Sequence, residues 1–324
     1  MDESGITGPV VGQSVRASPT RAVMTLALEA VVVIDETMVN APDKPCTVDV
    51  HRRRLARELA RAVRGFDMLS DGDRVLVAMS GGKDSYVLFH LLDALRKRAP
   101  IRFCLVPVHV DQGHPGHEPA PLIEYVASAG YELHVERDNT YERVVSQSRD
   151  ARPSCSMCAR FRRAILYRLS DELGCTKIAL GHHRDDAVVT LMLNLVFEGQ
   201  LKSMPPKLLA DDGKHVVIRP LIYCSEDELR ELCNALGCTI VSCLCCNAMP
   251  EQNRKTVSQM LASFEKLHPG LRQSMLAALA NVRPSHLLDV GLWRKLGLHA
   301  ATETASSALN SRALPILGDG SEWR

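Results

Sequence analysis

The chain has no apolar run long enough to cross a membrane. A bilayer-spanning helix needs roughly 18 consecutive apolar residues, and no stretch of the 324-residue sequence reaches that length. The formal net charge is only +1, so a uniformly basic surface is excluded and any nucleic-acid contact must use local patches. Aromatic residues make up 4% of the chain, which leaves few rings on which bases could stack.

Cysteines are numerous in a chain that shows no secretory signal-peptide pattern: there are eleven of them. The reducing cytosol keeps thiols free and favours metal or catalytic use of cysteine. We therefore expect a cytoplasmic protein without a disulfide framework. Two C-x-x-C pairs stand out, at 155–158 and 243–246. The cysteines that occur singly in apolar or helical contexts are expected to be small core residues; they are Cys104, Cys175, Cys224, Cys233 and Cys238.

The sequence predicts three regions of unequal order. Residues 1–48 have no sustained periodicity and are predicted to be a poorly ordered extension. Residues 49–288 are predicted to form the functional domain, and 289–324 a peripheral tail. The domain opens with "DVHRRRLARELARAVRGFDM" (49–68), where leucines and a valine recur at helical spacing among six arginines. This basic amphipathic helix is either a solvated surface or a contact for RNA.

Strand and helix patterns then alternate along the chain. Apolar stretches such as "DRVLVAMS", "IRFCLVPVHVD", "YELHVER" and "KIALGHH" are typical of strands. Helical patterns lie between them, among them "SYVLFHLLDALRKRA", "PLIEYVASAG", "RFRRAILYRLSDELG" and "DDAVVTLMLNLVFEG". This alternation predicts an α/β fold, a doubly wound and mainly parallel sheet with helices on both faces.

The turn after the first predicted strand reads SGGKDS, residues 80–85. Ligands of such sheets bind beyond the carboxyl ends of the strands. Gly81 and Gly82 lack a Cβ, so their amides can approach an anion closely. The next helix N-terminus and Lys83 add positive charge at the same place. The spacing is not that of a Walker loop, but it predicts a phosphate-binding turn; the alternative is an ordinary Gly-Gly turn between strand and helix.

Carboxylates follow two further predicted strands. Asp111 ends "VPVHVD", and Asp185 and Asp186 follow "IALGHHRD". Magnesium takes one or two carboxylates together with phosphate oxygens, so these acids and Asp84 are candidate Mg²⁺ ligands. One member of the 185–186 pair could instead cap the following helix.

The two cysteine pairs predict a metal site. Cys155 and Cys158 open a helix, one turn apart, and nearby arginines favour the thiolate form. Four thiolates commonly hold structural zinc, whereas an iron–sulfur cluster also takes cysteine ligands. The spacing alone leaves both open, as well as a site formed by one pair only.

Several stretches together resemble one family, the tRNA 2-thiocytidine synthetases, or tRNA-cytidine 2-sulfurtransferases, among the PP-loop N-type ATP pyrophosphatases. The matching pieces include "GDRVLVAMSGGKDSY", "VDQGHPG", "CSMCARFRRAILYR", "TKIALGHHRDDAVVTLMLNLVFEGQLKSMPPKL" and "NVRPSHLLD". The resemblance implies an ATP-dependent enzyme that replaces the C2 oxygen of cytidine 32 in the tRNA anticodon loop with sulfur, through an O-adenylated base. It also implies Mg²⁺ and a [4Fe-4S] cluster on Cys155, Cys158 and Cys243, although "CLCC" departs from the family's pattern by Cys245.

Particular residues are candidates for binding the nucleotide and for catalysis. The nucleotide-binding candidates are Ser80, Gly81, Gly82, Lys83, Asp84, Ser85, Asp111 and Gly181. The catalytic candidates are Lys83, Asp84, Arg162, Asp185 and Asp186. The implied partners are tRNA, ATP, a cysteine desulfurase as sulfur donor, and a second copy of the chain in a homodimer. Two rival hypotheses remain: a PP-loop enzyme with structural zinc that thiolates tRNA uridine or adenylates another carbonyl, and a nucleotide-sensing RNA-binding module without turnover.

Overall fold

A computed structural model describes residues 47–147, 155–241 and 252–298. The described chain divides into two compact units between Gln273 and Ser274, and the sheet belongs to the first. No helix in the described ranges is both long enough and apolar enough to span a membrane. The predicted boundaries of the extension, domain and tail stay predictions.

The first unit is built on one six-stranded sheet. Its strands are β1 Arg74–Ala78, β2 Cys104–Asp111, β3 His134–Arg137, β4 Lys177–Ala179, β5 Lys207–Leu209 and β6 Val216–Ile218. The order across the sheet is β3-β2-β1-β4-β6-β5. All neighbours are parallel except β5, which pairs antiparallel with β6. The chain therefore winds outward from β1 in both directions, as predicted.

Helices connect and flank these strands. They are α1 Thr47–Gly65, α2 Lys83–Arg96, α3 Ala120–Ser128, α4 Thr140–Gln147, α5 Cys155–Glu172, α6 Arg184–Leu193, α7 Glu226–Ala235, α8 Gln252–Leu267, α9 Leu271–Leu279 and α10 Val290–Lys295. A π-helical turn, Asn194–Glu198, continues α6, and a 3₁₀ turn spans Pro284–His286. In the second unit the Trp293 indole N–H donates to the carbonyls of Pro284 and Leu287, at 2.9 and 2.8 Å.

Both faces of the central strand are buried. Leu76 packs in one apolar cluster with Ile165 and Leu169 of α5. Its neighbours Val75 and Val77 point to the opposite face, because side chains alternate along a strand, and they are also fully buried. A strand covered on both faces reads as a continuous apolar run, which is why "VLVA" was recognisable in the sequence.

The first helix has the predicted two-sided character. Leu55, Leu59 and Val63 are buried, whereas most arginines of α1 lie on its exposed side. At the far edge of the sheet, β5 and β6 form a short hairpin that the sequence analysis did not predict. The predicted helix 185–199 is a regular α-helix only to Leu193, after which the π-helical turn begins.

Candidate functional site

The SGGKDS turn lies where β1 ends and α2 begins, at the carboxyl edge of the sheet. Gly81 has φ +79°, in the left-handed region that favours glycine. Gly82 is the N-cap of α2, and no side chain caps the helix there. The amides of the first turn of α2 therefore face the site without a competing side-chain acceptor, which is the arrangement that favours a bound anion.

The turn is held by its own serines. Ser85 donates its hydroxyl hydrogen to the Gly82 carbonyl at 2.7 Å, and the Gly82 N–H donates to Ser80 Oγ at 3.3 Å. The two serine hydroxyls are 3.3 Å apart. These short-range bonds fix the loop before any ligand arrives, so the serines shape the turn as well as lining it.

A distant part of the chain packs directly onto this turn. The Val241 N–H donates to the Gly81 carbonyl at 3.0 Å. A Cβ added at Gly81 would lie 2.7 Å from Val241 Cβ, closer than real carbon atoms approach. Glycine is thus required at position 81 both for its backbone angle and for this contact. Val241 precedes Cys243 by two residues, and Cys243 itself lies outside the described residues.

Lys83 is held between two carboxylates. Its ammonium nitrogen is 3.1 Å from Asp84 Oδ2 and 3.1 Å from Glu226 Oε1, at the start of α7. Burial alone would lower the pKa of Lys83, but these two carboxylates outweigh it and the pKa lies above its ordinary value. Lys83 therefore carries a full positive charge at the loop.

Asp84 lies in the tightest part of the site. A Cβ on Gly181 would meet the Asp84 backbone carbon and oxygen at 3.2 Å, so glycine at 181 lets the end of β4 approach the start of α2. Burial raises the pKa of Asp84, against the opposing charges of His183 and Lys83. Its buried Oδ1 has no hydrogen-bond partner among the described residues, and the His183 ring nitrogen is 3.7 Å away. An orphaned carboxylate oxygen beside a phosphate-binding turn suits a divalent cation.

Asp186 has the capping role that the sequence left open. Its Oδ2 accepts from the His183 backbone N–H at 3.2 Å and completes a capping box at the start of α6. Arg254 of α8 pairs with the other carboxylate oxygen. Burial would raise the pKa of Asp186, but His183, His182 and Arg254 lower it below its ordinary value. Asp186 is therefore a carboxylate that both caps a helix and faces the site.

Asp185 points to different partners. Its Oδ2 accepts from the Glu226 backbone N–H at 2.9 Å, and its Oδ1 lies 3.2 Å from Arg272 Nε and 3.3 Å from Arg184 Nη2. This buried carboxylate connects the start of α6 to the start of α7, where Glu226 meets Lys83. These contacts give Asp185 a structural role. Its predicted catalytic role stays a prediction.

Replacing Asp185 separates the two roles. We expect Asp185→Ala to lower the free energy of unfolding by about 3 kcal/mol, because it leaves two half-buried arginines and a backbone N–H without their acceptor. The matched control is Asp227→Ala. Asp227 is an exposed carboxylate in the first turn of α7, next to Glu226, and its removal should lower the free energy of unfolding by less than about 1 kcal/mol. Urea denaturation measures both. Unchanged stability with lost activity would instead favour the catalytic role.

The end of β2 organises the start of α5. Gln112, buried behind the strand end, accepts from Arg162 Nε at 2.9 Å and donates to the Cys158 carbonyl at 3.2 Å. It thereby fixes both the arginine and the turn of helix that carries Cys158. The Asp111 carboxylate accepts from the Gly113 N–H at 3.0 Å, a contact within its own turn. Its predicted contact with the nucleotide stays a prediction.

A cavity of about 300 Å³ joins these parts. Its wall includes Ser80, Asp84 and Ser85 from the loop, Gly181 and Asp186 from the end of β4 and the start of α6, and Ala159, Arg162 and Arg163 from α5. A second, smaller cavity of about 60 Å³ shares Ser80 and Arg162 with it and continues toward Val110 and Gln112. Space of this kind beside an anion-binding turn fits a nucleotide.

The predicted cluster ligands are described only in part. Cys158 is buried, and its neighbour Ala159 lines the larger cavity. The side chain of Cys155 and the whole of Cys243 lie outside the described residues. Over the part of the chain that the structure describes, no three His, Cys, Asp or Glu side chains are grouped to hold a metal ion, which leaves the cysteine set a prediction.

The sequence analysis missed several residues of the site. Glu226 and Arg254 meet Lys83 and Asp186 from helices far along the chain, and no local pattern indicates such contacts. Gln112 is different, because it lies within the quoted stretch "VDQGHPG" next to Asp111. Its position directly after a buried strand was a signal that pointed to the site.

Comparison with known proteins gives the class first. Residues 51–260 match the family model of the PP-loop domain, so the chain is a PP-loop protein. The structure also resembles the U34-tRNA thiolase NcsA from Methanococcus maripaludis, solved with its [4Fe-4S] cluster, with a TM-score of 0.60 at 23% identity over 78% of this chain and 90% of that one. That likeness concerns the fold.

Sequence relatives narrow the class to one family. The tRNA-cytidine(32) 2-sulfurtransferase of Sorangium cellulosum is 54% identical over 256 residues, which cover 79% of this chain and 90% of the relative. That of Serratia proteamaculans is 45% identical, covering 78% and 81%, and that of Escherichia coli O1:K1 is 40% identical, covering 89% and 93%. The chain belongs to the tRNA-cytidine(32) 2-sulfurtransferase family, which confirms the resemblance, the predicted fold and the assignment to the transferases.

Proposed function

We propose that this protein carries out ATP-dependent 2-thiolation of cytidine 32 in the tRNA anticodon loop. The observation that carries the proposal is the shared cavity, whose lining includes both the phosphate-binding turn and the first turns of α5, next to Cys158. Family membership supplies the substrate: the relatives are named for transfer of sulfur to this tRNA position.

The loop residues suit activation of the base by ATP. A C2 carbonyl oxygen is a poor leaving group, and its adenylate leaves as AMP instead. Charge develops on the departing pyrophosphate, where the amides of the loop and the Lys83 ammonium can stabilise it. The two carboxylates paired with Lys83 keep its ammonium protonated beside the loop. Arg162, held by Gln112, is positioned to neutralise charge near the base.

Asp84 is the residue that we propose for Mg²⁺. Its Oδ2 pairs with Lys83, whereas its buried Oδ1 has no hydrogen-bond partner among the described residues and is the atom available to a cation. A magnesium ion there would add charge opposite the phosphates. Asp186 lines the same cavity, but Arg254 and the helix cap already occupy its oxygens.

A [4Fe-4S] cluster would be held by Cys155, Cys158 and Cys243. When bound, it would supply an iron position open to the sulfur that replaces oxygen. Two observations support this set. Cys158 is buried next to Ala159, which lines the larger cavity, and Val241, two residues before Cys243, contacts the loop. We further propose a cysteine desulfurase as the sulfur source and a homodimeric assembly.

The tRNA would contact the arginines of α1 and α5. Several α1 arginines are exposed, but Arg52 and Arg54 already pair with Asp49 and Glu228, at 3.1 and 3.2 Å. Phosphate contacts on this helix would therefore have to compete with existing ion pairs. The target base must be splayed out of its stack to reach the cavity, as in other enzymes that act on a nucleobase.

Nucleoside mass spectrometry tests the proposed function. Bulk tRNA from cells with the gene deleted should lack 2-thiocytidine, and re-expression of the chain should restore it. Restoration of a thiolated uridine without 2-thiocytidine would refute the assignment. Release of AMP and pyrophosphate by purified protein with ATP and tRNA separates an enzyme from a module that only binds them.

The cluster proposal makes a separate prediction. Cys155→Ala should lose bound iron and the visible absorbance of anaerobically purified protein, yet keep ATP binding, because the loop is formed by other residues. Cys104→Ser serves as the control, since Cys104 is exposed at the far end of β2. A colourless wild-type protein containing stoichiometric zinc would contradict the cluster.

A further inference from the structure

Two cysteines outside the proposed cluster set meet at the end of α7. Cys233 lies in the last turn, and Gly237, with φ +64°, ends the helix just before Cys238. The Cys238 N–H donates to the Cys233 carbonyl at 3.2 Å. This bond is that of a Schellman motif, in which the side chains at these two positions come into contact. The helix cap thus brings two thiols together, of which Cys233 is a buried core residue, as predicted.

The two thiols are close enough to shift each other's titration: the Cys238 thiol lowers the pKa of Cys233, whereas the Cys233 thiol and burial raise the pKa of Cys238. Cys233 is almost fully buried, whereas Cys238 is partly exposed. A small reagent can therefore reach the pair through Cys238, and the Cys233 sulfur beside it is placed to complete an exchange with a disulfide.

A second pair of nearby cysteines, Cys104 and Cys175, is too far apart to form a disulfide. Cys104 begins β2, and Cys175 precedes β4, on the other side of β1. Two strand spacings amount to roughly 10 Å, beyond the limit of about 7 Å between the Cα atoms of a disulfide. Both thiols are near Arg74, yet the geometry keeps them apart.

The segment that follows Cys238 leads to the phosphate-binding turn. The Tyr86 hydroxyl of α2 donates to the Thr239 carbonyl at 2.7 Å. Two residues later, the Val241 N–H donates to the Gly81 carbonyl. A covalent change at Cys238 therefore acts on a short tether whose other end is fixed to the loop.

We propose that Cys233 and Cys238 are a modification site that forms a reversible disulfide, and that this bond changes how residues 239–241 cover the loop. A small disulfide is the oxidant. One cysteine sulfur attacks it, forming a mixed disulfide and releasing one thiol; the neighbouring cysteine sulfur then displaces the second thiol. The reagent's S–S bond is replaced by the protein's, and the two thiol protons leave on the released thiols.

Differential alkylation of the full-length holoprotein tests the site. The protein is treated anaerobically with oxidised glutathione, unfolded in denaturant and blocked with iodoacetamide so that buried thiols also react, then reduced and labelled with N-ethylmaleimide, and each cysteine is assigned by tandem mass spectrometry. We expect N-ethylmaleimide on both Cys233 and Cys238, and iodoacetamide on Cys104 and Cys175. In Cys238→Ser, Cys233 should take iodoacetamide. Iodoacetamide on both cysteines of the wild type, or a lasting glutathione adduct on Cys238, would overturn the proposal.

ATP titration tests the connection to the loop, which rests on the proposed function. The dissociation constant should differ severalfold between reduced and oxidised wild type, and should not respond to oxidation in Cys238→Ser. Equal values for the two wild-type forms would overturn the connection. Absence of ATP binding in every form would refute the proposed function instead, and the alkylation result would still decide whether the disulfide forms.

Discussion

Lys83→Ala should lower ATP-dependent thiolation, measured as kcat/KM, by at least about 100-fold, the loss typical of removing one preorganised group that stabilises transition-state charge. The physical reason is the position of the ammonium at the loop, where we propose that it is the counter-charge to the departing pyrophosphate. The iron content should stay at the wild-type level, since the Lys83 ammonium pairs with Asp84 and Glu226, which are not proposed cluster ligands. Assays of 2-thiocytidine formation with purified tRNA measure the first quantity, and iron analysis the second.

A matched control distinguishes loss of the Lys83 charge, in the loop, from loss of a cation outside the loop. Arg230 pairs with the same Glu226 oxygen, at 3.1 Å, on the exposed side of α7. Arg230→Ala removes a cation from the same carboxylate without touching the cavity wall, and exposed ion pairs of this kind contribute little. We expect near wild-type turnover from this variant. Wild-type turnover by Lys83→Ala would refute the phosphate-binding role.

Gly81→Ala should weaken ATP binding by at least tenfold and lower the free energy of unfolding by about 1–3 kcal/mol, the usual cost of a residue held in an unfavourable backbone region. Two effects act together here. The φ of +79° is strained for alanine, and the added Cβ would meet Val241 Cβ at 2.7 Å. Either the turn or the Val241 segment must move. Calorimetric ATP titration and urea denaturation measure the two consequences.

Gly72→Ala isolates the backbone effect. Gly72 has φ +81°, nearly that of Gly81, but a Cβ there would meet nothing within 4 Å. This variant should lose stability through backbone strain alone and should keep its affinity for ATP. If Gly81→Ala bound ATP as well as Gly72→Ala, the contact with Val241 would be irrelevant to the nucleotide site.

The central sheet was predictable because its signals are local. Strand β1 is an apolar run bounded by a charged residue and a glycine turn, and α2 follows with helical periodicity. By contrast, β5 and β6 have three residues each, too few to show any period, and β6 is recognised as a strand by its pairing with β4. Pairing depends on residues far away in the sequence, which a local pattern does not report.

The same division applies to the site. The glycines and Lys83 were predicted because a strand, a turn and a helix follow one another directly in the chain. The environment of Lys83 was not, since Glu226 comes from a helix that reaches the loop only after the sheet has formed. Asp185 and Asp186 were predicted as equivalent, yet the chain turns one toward the cavity and the other toward the α7 backbone and two arginines. Adjacent residues on a helix point in different directions, and which neighbours they meet depends on the tertiary structure.

The contact between Gly81 and Val241 also bears on how the protein is made. The glycine turn leaves the ribosome well before the valine that packs on it, because five of the six strands lie between them. Contacts between such distant parts of a chain form late, since much intervening chain must be ordered first. In a growing polypeptide the glycine turn is therefore not yet covered by Val241. Nucleotide can bind the complete pocket only after translation has passed α7.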